Sequence, residues 1–244
     1  MNKETLDRLR NDEDYYGAFG KQFLSNSDIG ALLGNPKEFG QSSDDNVNYA
    51  KGRYFHQLIL EPEKAVLTPF VDVSTRTTKA YKEYIEDNKV PFAMLEKEGE
   101  EIRGCVDNMI QNFAFFEGIR EEGNQYEVPA VKEIHGMMWK GKADIVCKDK
   151  LIDLKTTSNI SDFKWSARKY NYDSQCYIYQ ELFGLPLTFY VVDKTNGMLG
   201  IFRPTEEFVK RGEEKVIRAI EVYRKFFGDN PTENIEYYYI DELL

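Results

Sequence analysis

Asp144, Asp153 and Lys155 fall in one short stretch, Asp144 to Thr157, where charged side chains interrupt apolar ones. The stretch reads as a β-hairpin. A strand through Asp144-Ile145-Val146 leads to a polar turn at Lys148-Asp149-Lys150, and a second strand follows from Leu151 to Lys155. Side chains alternate faces along a strand, so Asp153 and Lys155 point one way while Ile152 and Leu154 point the other. The apolar face can pack on a core. The polar face offers a carboxylate and an ammonium, with Asp144 on the neighbouring strand able to converge on them. Asp and Lys are poor strand formers, so placing both inside an apolar strand costs stability and suggests a site. Two carboxylates plus a backbone carbonyl suit Mg²⁺ or Mn²⁺, hard cations that prefer oxygen ligands. A lysine beside them can orient and polarise an attacking water, or stabilise charge developing on a phosphate. A surface hairpin carrying an exposed ion pair, worth about 0–1 kcal/mol, would show the same three residues. The remainder of the chain has to decide.

The segment GKADIVCKDKLIDLKTT resembles the core of the PD-(D/E)xK nuclease superfamily. The longer run IDLKTTSNISDFKWSARKYNYDSQCYIYQELFG is similar to one branch of it, the exodeoxyribonuclease VIII (RecE-like) and RecB-like exonucleases common in phages. Upstream, GRYFHQLILEPE resembles that branch's helix bearing a metal-ligand histidine, here His56; downstream, Gln175 and Tyr179 match its Q-x-x-x-Y helix. The four motifs stand in the family's order and span about residues 24–227. The resemblance implies an α/β fold with a restriction-endonuclease-like core, a small mixed β-sheet flanked by helices. It implies one or two Mg²⁺ (or Mn²⁺) ions held by His56, Asp144, Asp153 and the carbonyl of Leu154. Lys155 would orient and activate water, Gln175 would hold that water or a phosphate oxygen, and Tyr179 would contact DNA or brace Lys155. It further implies exonucleolytic hydrolysis of double-stranded DNA ends, 5′→3′, in recombination and repair, with a ring-shaped homo-oligomer and a single-strand annealing protein as partner. The alternatives are an endonuclease or single-strand-specific nuclease on the same fold, or a non-catalytic DNA-binding or scaffold protein that kept it.

The bulk properties constrain this reading. A chain of 244 residues suits one domain with appendages: a weakly ordered arm or loose helix over 1–23, a nuclease domain over 24–228, and a tail over 229–244 packing on the domain or a neighbour. A net charge of −10 argues against a general nucleic-acid coating protein, since phosphate binding is driven by Lys and Arg. DNA contact confined to one basic cleft remains compatible with it. Cys105, Cys147 and Cys176 are too few and too dispersed for a disulfide framework or a four-cysteine cluster, which sets the chain apart from cluster-bearing RecB-like relatives. No apolar run is long enough to span a membrane, and the polar N-terminus is not a signal peptide. A cytoplasmic protein is expected, in the host cytoplasm if the chain is phage-encoded, without membrane contact.

The elements that must position these residues are also legible. Ser25 and Asp28 form a capping-box pattern for a short helix that ends at Asn35-Pro36. After a turn-rich link, GQSSDDNVN, a helix over 47–60 puts Gly52 and His56 on one face, the glycine suggesting close approach to the sheet. A helix follows from Lys79 to about Glu86, where Arg76 and Lys79 are candidate DNA contacts. The 3–4 spacing of Ile102, Val106, Met109, Ile110 and Phe113 predicts one long core helix over 94–118. Residues 125–132 read as the first strand of the sheet, with Glu127 able to face the site, and the chain returns through His135-Gly136. In SDFKWSARKYNYD, Lys164, Trp165, Arg168 and Lys169 interleave basic and aromatic groups, a composition suited to gripping a backbone and stacking bases. Asp173 caps a helix to Phe183 carrying Gln175 and Tyr179, Asn196-Gly197 turns a second hairpin, and a long helix runs from Thr205 to Phe227.

Overall fold

The computed structural model describes residues 3–41 and 46–241; part of the expected turn-rich link, and the last residues of the tail, lie outside them. The segment expected as a weakly ordered arm or a loose helix holds two short helices, α1 (Lys3–Arg10) and α2 (Asp12–Tyr16). Buried Leu9 and Tyr15 pack with Val131 of the sheet, and that apolar contact is what holds this segment down. Helix α3 (Asn26–Gly34) starts where predicted, with the Ser25 N–H donating to Asp28, and stops before Pro36.

Helix α4 (Val47–Leu60) is capped by Asn46, whose side chain accepts from the N–H groups of Asn48 and Tyr49. A single turn, α5 (Pro62–Ala65), follows. Strands β1 (Phe70–Val71) and β2 (Met94–Leu95) form a small parallel pair around α6 (Lys79–Asn88). The predicted helix over 94–118 is two helices, α7 (Glu96–Gln111) and α8 (Phe113–Arg120). They part at Asn112, whose side chain accepts from the Phe115 N–H and so restarts the helix.

Next come β3 (Gln125–Ile134), β4 (Met137–Val146) and β5 (Leu151–Thr157), then α9 (Phe163–Lys169) and α10 (Tyr172–Phe183). Strands β6 (Leu187–Asp193) and β7 (Leu199–Phe202) lead into α11 (Glu206–Phe226). The main sheet has the order β3-β4-β5-β6-β7 and is antiparallel except for the β5–β6 pair. That parallel pair needs a crossover, which α9 and α10 supply. The fold is the mixed α/β sheet flanked by helices that the sequence predicts.

Two layers cover the sheet. On one side Phe55, Ile59, Ile102 and Met109 pack on Ile145, Ile152 and Leu154. On the other, Phe163, Ala167 and Cys176 pack on Ala143, Leu151 and Phe189. Ile152 and Leu154 are fully buried, each contributing about 1.5–3 kcal/mol. This offsets the roughly 1 kcal/mol scale on which Asp and Lys disfavour a strand. The residue at the N-cap position of α10 is Asn171, in the left-handed region (φ 57°) and without a side-chain cap bond, not Asp173. Asp173 lies in its first turn, fully buried, with Lys215 Nζ 2.8 Å away.

Candidate active site

The site occupies a fork between β4 and β5. The two strands pair only at Ile145–Ile152 and Val146–Leu151, then separate. Asp144 and Asp153 follow at the point of separation. Asp144 Oδ2 accepts the Leu154 N–H at 2.7 Å, satisfying a backbone donor that the parted strands no longer pair. The same oxygen is 3.4 Å from His56 Nδ1, brought in by α4. Asp153 Oδ1 accepts from Gln175 Nε2 at 2.6 Å, and its other oxygen forms an ion pair with Lys155 Nζ. The Lys155 ammonium also lies 5.1 Å from the ring centroid of Tyr172.

A third carboxylate completes the arrangement. Donor atoms of His56, Glu127 and Asp144 all lie within 4.8 Å of one another. Glu127 has φ of +50°, a conformation that costs a non-glycine residue roughly 1–2 kcal/mol. The β3–β4 ladder is intact at Tyr126–Ile145 and Val128–Ala143 but has no pair between them, where Glu127 faces Asp144. Backbone strain concentrated beside a functional group is a common mark of a working site.

The electrostatics suit a site that takes a cation. Burial, reinforced by the charge of Asp144, pushes the Glu127 carboxyl up to about 8. Burial alone would lower His56, but Asp144 overrides it and raises the imidazole to about 9. Burial likewise opposes ionisation of Asp144, yet His56 and Lys155 hold its carboxyl below the ordinary value. Lys155 is half-buried, and Asp153 keeps it charged. Two carboxylates and one imidazole converging in a desolvated fork are a donor set suited to a hard divalent cation. Asp153, expected among the ligands, is instead engaged by Lys155 and Gln175 and stands outside the three-donor group. Leu154, whose carbonyl was expected among the ligands, follows Asp153 in β5 and donates its N–H to Asp144.

Several expected roles change once the partners are seen. Gln175 holds a carboxylate rather than standing free for water. The Tyr179 hydroxyl donates to the carbonyl of Lys142 at 3.0 Å, so it braces β4 two residues before Asp144 and not Lys155. Gly52 does not mark a close approach: a Cβ there would meet nothing within 4 Å. Arg76 forms an ion pair with Glu98 and lies over the Phe92 ring, so its guanidinium is already engaged. Lys79 is exposed, 3.1 Å from Glu83 one turn on. Lys164 and Arg168 both lie 5.3 Å from the exposed Trp165 ring, and Lys169 is 5.5 Å from Tyr170. A network not foreseen from the sequence ties the N-terminal helices to the site: Asp12 reaches Lys142 of β4 at 2.6 Å and Lys64 of α5 at 2.7 Å. No sequence signal links residues so far apart; Asp12 is one of three acids in NDEDYY and resembles the other two.

Comparison with known proteins bears on the fold and the family. A crystal structure of a Eubacterium rectale protein named "Putative exonuclease" has a similar fold, with a TM-score of 0.64 at 19% identity, covering 88% of this chain and 85% of that one. A phage related exonuclease from Haemophilus somnus 129PT matches more distantly, with a TM-score of 0.33 at 14% identity over 64% of this chain and 89% of that one. No curated protein matches. The model of one protein family, described as a PDDEXK-like domain of unknown function, matches residues 29–228. With the strand fork, its two acids and its lysine occupying the heart of that span, the chain belongs to this PDDEXK-like family.

Proposed function

We propose that the protein is a metal-dependent deoxyribonuclease, acting as an exonuclease on DNA ends. The observation that carries this reading is the convergence of His56, Glu127 and Asp144 beside the Asp153–Lys155 pair at the parting of β4 and β5. His56, Glu127 and Asp144 would hold a divalent cation, Mg²⁺ or Mn²⁺, with the Leu154 carbonyl and Asp153 adjacent. When bound, such a cation polarises a phosphodiester, lowers the pKa of water and stabilises a leaving oxygen. Lys155 orients the attacking water and offsets charge developing on the phosphate. Asp153 fixes the ammonium, Gln175 fixes Asp153, and burial of Asp153 and Gln175 strengthens both interactions. Tyr179 keeps β4, and with it Asp144, in place.

The motif resemblance extends the proposal to double-stranded ends, 5′→3′ polarity, a role in recombination, a ring-shaped homo-oligomer and an annealing protein as partner. Among the described residues, no helix is long and apolar enough to cross a membrane. The test is digestion of linear and circular duplex, with either strand end-labelled, in Mg²⁺ and in EDTA. Mg²⁺-dependent loss of linear duplex is expected. Purified Asp153→Ala and Lys155→Ala proteins should stay folded and lose cleavage. Unchanged cleavage by both would reject the assignment.

A further inference from the structure

A second concave surface lies one layer behind the active-site lysine. It is a cavity of about 220 Å³ between α9, β6 and the start of α11. Its floor is aromatic: Phe163 and Phe189 are buried, and Phe202 and Phe208 are half-buried beside them. Lys164, Arg168, Arg203 and Arg211 surround it, against the single acid Glu207. Tyr172 links the two sites, lying 5.1 Å from the Lys155 ammonium on one side and 5.3 Å, between centroids, from Phe189 on the other.

The charges matter because this chain is acidic overall, with 42 acidic and 32 basic residues. Several of its guanidinium and ammonium groups elsewhere are paired, as at Arg8, Arg76, Arg103, Lys64 and Lys142. Around the cavity, Lys164, Arg168 and Arg203 have no carboxylate partner among the described residues, and Arg211 reaches Asp173 only at 3.5 Å. Unpaired cations ringing a phenylalanine floor match a ligand that is flat and apolar on one side and anionic on the other. The volume is below the roughly 300–1,000 Å³ typical of sites for drug-sized ligands, so it suits one such unit and not a duplex.

We propose that this cavity binds a single nucleotide, its base on the phenylalanine floor and its phosphate at Arg203 and Lys164. In the proposed nuclease it receives an unpaired nucleotide of the strand passing Lys155, and to that extent the proposal rests on the nuclease reading. The floor offers stacking and no polar readout, so binding is indifferent to base identity.

The experiment is calorimetric titration of the full chain, in EDTA, with dAMP, dTMP, deoxyadenosine and inorganic phosphate. Both nucleotides should bind with similar affinity, and the nucleoside and phosphate about tenfold or more weaker, because each keeps only half of the recognition. Arg203→Glu and Lys164→Glu alter exposed side chains, so the fold survives, and each should weaken dAMP by about tenfold or more. Asp144→Asn should leave dAMP binding unchanged, separating the cavity from the active site. No dAMP binding by the wild-type chain, phosphate binding as tight as dAMP, or dAMP binding that survives both charge reversals would each overturn the proposal. Cleavage is scored separately with Mg²⁺ and linear duplex. A chain that cleaves without binding dAMP refutes the cavity alone, and one that binds dAMP without cleaving refutes the nuclease alone.

Discussion

Replacing Glu127 with glutamine tests the charge balance of the site directly. In the metal-free protein Glu127 titrates near 8, against 4.5 for an unburdened glutamate. Between those values the folded chain retains a proton that the unfolded chain has released. Stability therefore falls as pH rises from about 4.5 to about 8. At pH 7 the penalty is about 3 kcal/mol, and at pH 5 it is below about 1 kcal/mol, taking 1.36 kcal/mol per pH unit. Glutamine has the shape of the protonated acid and never pays this cost. Glu127→Gln should accordingly raise the melting temperature of the metal-free protein by roughly 6–12 °C at pH 7, and by only a few degrees at pH 5. Mg²⁺ should stabilise the wild-type chain and stabilise the variant less, because one ligand charge is gone. The assay is thermal unfolding in EDTA and in Mg²⁺ at both pH values. An equal shift at pH 5 and pH 7, or none at either, would refute the account of a carboxylate strained by Asp144 and relieved by a cation.

Four further outcomes follow from the same contacts. Tyr179→Phe removes one hydrogen bond to the Lys142 carbonyl, so it should cost about 0.5–1.5 kcal/mol in denaturant unfolding and change cleavage only a few-fold. A loss of cleavage of about 100-fold at unchanged stability would place Tyr179 in contact with substrate. Gln175→Ala leaves a buried Asp153 oxygen without its donor and should destabilise by about 1–3 kcal/mol, with cleavage lowered alongside. Asp12→Ala strips Lys142, whose side chain is only 7% exposed, of its carboxylate and should cost about 1–3 kcal/mol; a neutral result would mean that the N-terminal helices are held by Leu9 and Tyr15 alone. Gly52→Ala, which adds a methyl group into open space on α4, should stabilise by up to about 1 kcal/mol, and destabilisation would show that the face over His56 is tightly covered.

The sequence revealed what is encoded locally. Alternation across 151–155 placed Asp153 and Lys155 on one face, Asn196-Gly197 set the second hairpin with Gly197 at φ +74°, and the spacing around His56 put the imidazole on a helix. The motif order brought that helix to the fork, where His56 does meet Asp144. What stayed hidden depends on partners distant in sequence. The weight of Glu127 comes from a left-handed backbone opposite Asp144, which the alternation of its strand does not reveal. Arg76 looked like a phosphate contact because Glu98 lies 22 residues further on. Asn112 resembled an ordinary helical residue until its side chain took the Phe115 N–H. The anchor of the N-terminal helices, Val131, is a strand residue more than a hundred positions away, so the local sequence carries no sign of it.

The bond from the Leu154 amide to Asp144 makes one side chain both splint and grip. Whatever pulls on that carboxylate also pulls on the lip of β5, so loading the fork and stiffening the strand become a single event. Amide exchange at Leu154 therefore works as a gauge: it should slow when Mg²⁺ is added and quicken in Asp144→Ala, while Ile152, still zipped to Ile145, keeps its pace in both.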